Sequence, residues 1–593
     1  MININYQKRK NTELFKSLEN PETLFLTETQ NYIPIYTKFF SLNESNYNNI
    51  NLNNKWYISS INEQIEDNTN LYNCRIKNMN NNKSKDKELF FKLAPLLDPY
   101  KFLIGKYNAL DKRFLTLPKI DSNETDIHSK YLDSNNSAYV DGFFLFLTSN
   151  LIHQYNFVNG VDYYGSFLAI KNNFNINVFD DIDYLNGSEF FNKNKNKLFL
   201  IDDYDHLFDL QEGKLKPITI QHDISSKSKM SIKSFDEHIY EDIFDDNNVT
   251  VSLDSLKDLS IDLVDITNID IFNKAEKNVT LKSNSTCSSR SSYTSVDEME
   301  SQGETSNNCE NNGKDDGNES IENGSEEGSE EGSDDYEEEV INVVIPQFPV
   351  QVICMENCEK TFDDLILTNE LSSEEWHSAF MQIIMILITY QKSFNFTHND
   401  LHTNNVMYVQ TDKKFLHYCY KKTYYKVPTF GRIFKIIDFG RSIYKFNGNI
   451  FCSDSFSIGG DAATQYNTEP YFNEKKPRLE PNFSFDLCRL ACSIYDYLID
   501  ENDDTKDLSK LKDPIKRLVI EWCLDDKGIN MLYKNNGDDR YPDFKLYKMI
   551  ARCVHNHTPH AQLERPEFKK FSNFKGEIPS EQVIDIDKIP VYF

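Results

Sequence analysis

At 593 residues the chain carries 93 Asp and Glu against 64 Lys and Arg, a formal charge of -29. That balance argues against nucleic acid as a partner, because neutralising phosphates needs clustered cations. Its hydrophobic fraction of 39% suffices for a packed core, and the most apolar run, at residues 383–390, is too short to span a bilayer, so no membrane partner is expected.

In chain order, the first 221 residues are rich in Asn, Phe and Tyr and carry strand-like patches. Residues 222–339 drift into Ser, Asp, Glu and Gly and read as a largely disordered insertion, with too few apolar groups to offset the entropy of ordering. Within it, residues 297–339 hold 18 acids against the single Lys314, so this tract carries 17 of the 29 excess negative charges. It reads as a solvated spacer, or as a docking arm for a further partner.

Ordered patterning resumes at 340 and continues to 593. Residues 343–355 read as two short strands around Pro346 and Pro349, and residues 374–393 as a long amphipathic helix. Strands at 406–409 and 433–437 flank a Tyr- and Lys-rich insertion at 413–426, and a further helix spans 485–499. The 11 cysteines include no C-x-x-C spacing and read as reduced, mostly buried thiols. The first ten residues lack the apolar core of a signal peptide, so a soluble intracellular location is expected.

The chemistry concentrates where the long helix ends. His398, Asp400 and Asn405 reproduce an H-x-D-x-x-x-x-N loop, and Asp438-Phe439-Gly440 follows an apolar run downstream. Phosphoryl transfer leaves the protein little covalent work, so a site must aim the acceptor hydroxyl and neutralise charge. Asp400 suits the first task. Asn405 and Asp438 offer the hard oxygen ligands that Mg2+ prefers.

On these motifs the chain resembles the protein kinase superfamily. It is most similar to the divergent kinase-like proteins of large nucleocytoplasmic DNA viruses, through Phe-Phe-Lys-Leu-Ala-Pro-Leu-Leu-Asp-Pro-Tyr from Phe90, Val-Pro-Thr-Phe-Gly-Arg from Val427 and Gly-Asp-Ala-Ala-Thr-Gln-Tyr-Asn from Gly460. The resemblance implies an α+β, two-lobed fold, with ATP between a small sheet-rich lobe and a larger helical one. Residues 1–221 would supply an N-terminal extension and most of the small lobe, and residues 340–593 its end, the hinge and the large lobe. It also implies ATP and Mg2+ as cofactors and a protein Ser or Thr hydroxyl as acceptor, in host cytoplasm or virion if the chain is viral. Lys92 matches the lysine that holds the α- and β-phosphates, although an exposed strand lysine explains it too. Its expected helix partner is a glutamate, but the helix at 138–154 has none, and Asp141 is the acid available. Met355 matches the gatekeeper, and Glu356 to Cys358 the adenine-binding hinge. Asp486 matches the residue that buttresses the catalytic loop, though an ordinary helix-capping Asp fits the sequence as well. Arg565 matches a late structural arginine that pairs with a glutamate, for which Glu469 and Glu480 compete.

Four features depart from that pattern. No glycine precedes Gly105, so a glycine-rich phosphate loop is missing, and the turn at 63–70 is acidic. Asn399 replaces the usual arginine that receives an activating phosphate. His402 stands where Ser/Thr kinases carry lysine, contributing charge only below its pKa. The acidic insertion interrupts the small lobe. Two alternatives therefore stay open: a scaffold that keeps the fold for binding, and a kinase of a small-molecule hydroxyl, whose families also use Asp-Leu-His.

Overall fold

Five strands within residues 26–177 and a sixth at residues 342–356 build the principal sheet. They are β1 (Leu26–Gln30), β2 (Trp56–Gln64), β3 (Leu71–Asn78), β4 (Ser84–Pro95), β5 (Tyr163–Asn177) and β6 (Asn342–Glu356). All belong to one sheet in the order β1-β5-β6-β4-β3-β2, with every neighbouring pair antiparallel. In this computed structural model the described residues are 4–65, 68–81, 83–204, 340–500, 507–574 and 582–593. The acidic tract and the whole of the expected insertion, residues 222–339, lie outside them. The described residues up to 202 and from 340 onward belong to one unit, which holds everything discussed below. No helix among the described residues is long and apolar enough to cross a membrane.

One expectation is corrected. Residues 342–356 form a single strand rather than two short ones. Pro346 and Pro349 both precede Val350, the point at which β6 begins to pair with β4, so they sit where one edge is still open and a missing N–H costs little.

Helix α1 (Ser137–Tyr155) packs its apolar residues against this sheet and is buried almost all round from Ala138 to Leu151. Gly142 permits the close approach: a Cβ there would overlap Nε2 of Gln351 and lie 3.3 Å from Cδ1 of Ile353 on β6. Beyond the sheet, α2 (Ser373–Phe394) starts with a capping box from Ser372 and Glu375 and is the central buried helix of the remaining half. It packs with α4 (Pro514–Trp522), while α3 (Phe485–Leu498) contacts both α4 and α5 (Lys545–Cys553).

Between the helices run short antiparallel pairs, β7 (Val406–Gln410) with β10 (Arg432–Ile436) and β11 (Ile443–Phe446) with β12 (Asn449–Cys452). The Tyr- and Lys-rich insertion is a hairpin of β8 (Phe415–Tyr420) and β9 (Thr423–Pro428). Its length has a use: β13 (Val583–Asp585) adds to β8 in parallel, and the following chain returns to α2. There Lys392 donates to the carbonyl of Ile586 at 2.9 Å, and Tyr592 stacks on Phe394 with centroids 5.3 Å apart.

A buried polar cluster ties α1 to the end of β6 and to β10. Oδ1 of Asp162 accepts from the Ser149 hydroxyl at 2.6 Å and from Nε2 of His153 at 2.9 Å, while Oδ2 accepts from the Tyr164 hydroxyl at 2.9 Å. The Asp162 amide donates to Oε1 of Glu356 at 2.8 Å, and buried Lys435 donates to the same oxygen at 2.5 Å and to the Gly160 carbonyl at 2.6 Å. Burial favours the neutral acid of Asp162, but His153, then the Ser149 hydroxyl and Lys87, hold it down to about 2. Because the folded pKa lies below the ordinary value of 3.8, the carboxylate stabilises the fold above pH ~4 and loses that contribution as pH falls towards 2. A shift of that size corresponds to about 2 kcal/mol at neutral pH. Asp162→Asn should therefore lower the melting temperature at pH 7, and thermal unfolding should show the gap to wild type closing between pH 4 and pH 2.

Candidate active site

Alternation on β4 sends Leu89 and Phe91 to one face, both fully buried, and Lys92 to the other. There Nζ of Lys92 lies 2.6 Å from Oδ2 of Asp141 on α1 and 2.9 Å from Oδ1 of Asp438. Asp is a carbon shorter than Glu, and the approach of α1 allowed by Gly142 makes up the reach. Asp141 also accepts from the amide of Phe439 through Oδ1 at 2.9 Å. One helix residue thus holds both the strand lysine and the backbone beside Asp438. Burial opposes the charge on Lys92, yet Asp141 and then Asp438 outweigh it and keep the amine firmly protonated. Burial likewise opposes the half-exposed Asp438 anion, and Lys92 holds its carboxyl well below the ordinary range.

The loop after α2 is fixed from below by α3. Fully buried Asp486 takes the amides of His398 and Asn399 on its two carboxylate oxygens, each at 2.9 Å. It therefore accepts from the loop rather than capping its own helix. His398 donates from Nε2 to the Ile437 carbonyl at 2.9 Å, which sets its tautomer, and its Nδ1 accepts from the Asp400 amide at 3.3 Å. Asn399 adopts φ 65° and Asp438 φ 60°, left-handed conformations that Asn and Asp tolerate better than bulkier residues. The Asn399 side chain donates to the Arg441 carbonyl at 3.0 Å and accepts from the Tyr466 hydroxyl at 2.8 Å. A neutral amide thus joins these segments, at the position where the family pattern carries an arginine.

Asp400 is 6% exposed. Its Oδ1 accepts from the Tyr547 hydroxyl at 2.8 Å, and its Oδ2 faces Nε of Arg441 at 3.9 Å. Burial opposes the anion, and Arg441 leads the groups that hold its pKa below the ordinary value. Asn405 donates through Nδ2 to the Asp400 carbonyl at 2.9 Å and to Nε2 of His402 at 3.1 Å. Both amide protons are used, which turns Oδ1 into the remaining polar face, and that oxygen is what a hard cation requires.

Lys92, Asp141, Asp400, Asp438, Arg441 and Asp461 line one cavity of about 290 Å³. His402, Asn405, Met355, Glu356 and Cys358 do not line it. Burial pushes His402 down to about 4, so at neutral pH it supplies no cation, and its Nε2 takes the Asn405 amide described above. At the expected hinge, Met355 and Cys358 are buried and the Glu356 carboxylate is committed to Lys435 and the Asp162 amide, so that side chain is structural. Arg565 pairs with neither Glu469 nor Glu480. It reaches Glu521 on α4 and Glu567, because the chain around it packs on that helix, while Arg478 in the same loop takes Glu480 at 2.7 Å and Glu469 at 3.3 Å. Three residues of the site escaped the sequence reading, Arg441, Asp461 and Tyr547. Arg441 directly follows Asp-Phe-Gly and could have been found there, whereas Tyr547 is one tyrosine among 33.

No protein-family model matches the chain. A stretch of 184 residues, 30% of the chain, is 27% identical to uncharacterized protein 098R of Invertebrate iridescent virus 6. That stretch spans 27% of the viral protein, so the match covers about a quarter of the relative's length.

The role of Asp486 is testable. Replacing it with Ala strands two buried amides, at about 1 to 3 kcal/mol each. Asp486→Ala should lower the melting temperature, and hydrogen exchange should show faster amide exchange at His398 and Asn399.

Proposed function

We propose that the chain is a divergent, Mg-ATP-dependent protein kinase that transfers phosphate to Ser or Thr hydroxyls. The observation that carries this reading is Lys92 held at 2.6 Å from Asp141 and 2.9 Å from Asp438, in a cavity that Asp400 also lines. Further support comes from the antiparallel sheet with α1 against it, followed by a mainly helical half, which is the arrangement expected of two lobes with nucleotide between them. Similarity to an iridescent virus protein agrees with a viral origin.

In this reading Lys92 binds the α- and β-phosphates, and Asp141 keeps its amine aimed. Asp438 and Asn405 fit a hard divalent cation, the first through its carboxylate and the second through Oδ1. Bound magnesium supplies the charge neutralisation that phosphoryl transfer needs. Asp400 orients the acceptor hydroxyl and receives its proton, a role that fits its anionic state. Asp486 holds the backbone that carries Asp400.

The test is phosphate transfer from labelled ATP to casein and to the chain itself. Asp400→Asn and Lys92→Met should each lower the rate by about 100-fold or more. Equal rates for wild type and Asp400→Asn would sink the proposal.

A second reading, a binding scaffold without transfer, is favoured by the lack of any glycine before Gly105 to cover phosphates. A melting temperature unmoved by ATP with Mg2+ favours that scaffold, whereas a rise that Asp438→Asn abolishes favours nucleotide binding at the expected place.

A further inference from the structure

The Asp400 carboxylate is held by a residue from a helix more than 140 positions away. Tyr547 on α5 donates its hydroxyl to Oδ1 at 2.8 Å, and it is absent from the cavity wall that Asp400 and Arg441 share. Its ring stacks on Phe544 with centroids 5.3 Å apart and packs 6.2 Å from Phe485 of α3. The guanidinium of Arg489 lies 5.0 Å from the ring centroid and that of Arg441 5.9 Å. Such a ring, held between aromatic and cationic neighbours, has few ways to turn. Asp486 and Arg489 stand one turn apart on α3, so the helix that fixes the loop backbone also steadies the ring against its side chain.

We propose that Tyr547 is a positioning residue for Asp400: its hydroxyl fixes Oδ1 from the side away from the cavity, which leaves Oδ2 turned toward Arg441 and the acceptor. This rests on the kinase reading above. Without that hydrogen bond the carboxylate can rotate onto Arg441, whose Nη2 is already engaged by Asp461 and whose Nε stands 3.9 Å away. A carboxylate paired in that way aims poorly at an alcohol, and errors of about 1 Å in such aim cost on the order of 100-fold in rate. Tyr547 itself is not among the residues that line the cavity, unlike Asp400 and Arg441. Burial also keeps the Tyr547 phenol protonated, so it remains a donor.

The test uses the full-length chain, labelled ATP and casein. Tyr547→Phe keeps the ring and removes the donor, and should lower kcat about 10- to 100-fold with the KM for ATP unchanged. In the Asp400→Asn background it should add no further loss, because the group it positions is gone. Phe544→Leu loosens the packing around the ring but keeps the hydroxyl, and should retain most of kcat. Unchanged or increased kcat in Tyr547→Phe, with Asp400→Asn still far below wild type, would overturn the positioning role and leave the kinase reading standing. Equal losses in Tyr547→Phe and Phe544→Leu would reduce the role to packing and overturn it too. A wild-type rate no higher than that of Asp400→Asn would remove both.

Discussion

A protonated lysine wedged between two carboxylates, Lys92 with Asp141 and Asp438, is the contact through which the sheet, the helix lying on it and the segment after β10 are joined. A cation taken out of water is costly unless anions surround it, and an anion left alone in the same place is costly as well. Each of the three groups makes the others tolerable. The arrangement also requires α1 to approach β6 closely, which Gly142 allows, and it brings the Phe439 amide onto Asp141. The Phe439 ring completes the join by packing 4.7 Å from Phe144 on α1.

The second constraint is the fixing of the Asp400 loop by side chains and carbonyls that the fold itself brings to it. Asp486 takes two amides, His398 bridges to Ile437, and Asn399 links the Arg441 carbonyl to Tyr466. None of these bonds needs an added phosphate to form. Arg441 is held by Asp461 rather than by a modified side chain. A site assembled in this manner gains its order from folding itself, through buried hydrogen bonds that are expensive to leave unmade.

Outlying parts of the chain reinforce the same region from behind. The hairpin of β8 and β9 looks dispensable as a connection between β7 and β10, yet it offers an edge on which β13 pairs, and the residues that follow lock onto the end of α2. That helix leads straight into the His398 loop. The cluster around Asp162, Glu356 and Lys435 does similar work at the opposite end of α1, spending the charge of Glu356 on structure.

The local elements were legible from residue order. Residue patterning gave α2 and α3 within a residue or two, the family resemblance placed α1, and the spacing of His398, Asp400, Asn405 and Asp438 singled out the loop and strand end that the fold brings near Lys92. Spacing of this kind is local, so the chain itself carries it. Partner choice is different. That Asp141 reaches Lys92, that Arg565 takes Glu521 instead of Glu469 or Glu480, that His402 is neutral and that Tyr547 supports Asp400 all depend on burial and on contacts between residues distant in sequence. Those were decided only when packing fixed which charged groups lost their water and which others lay within about 3 Å to replace it.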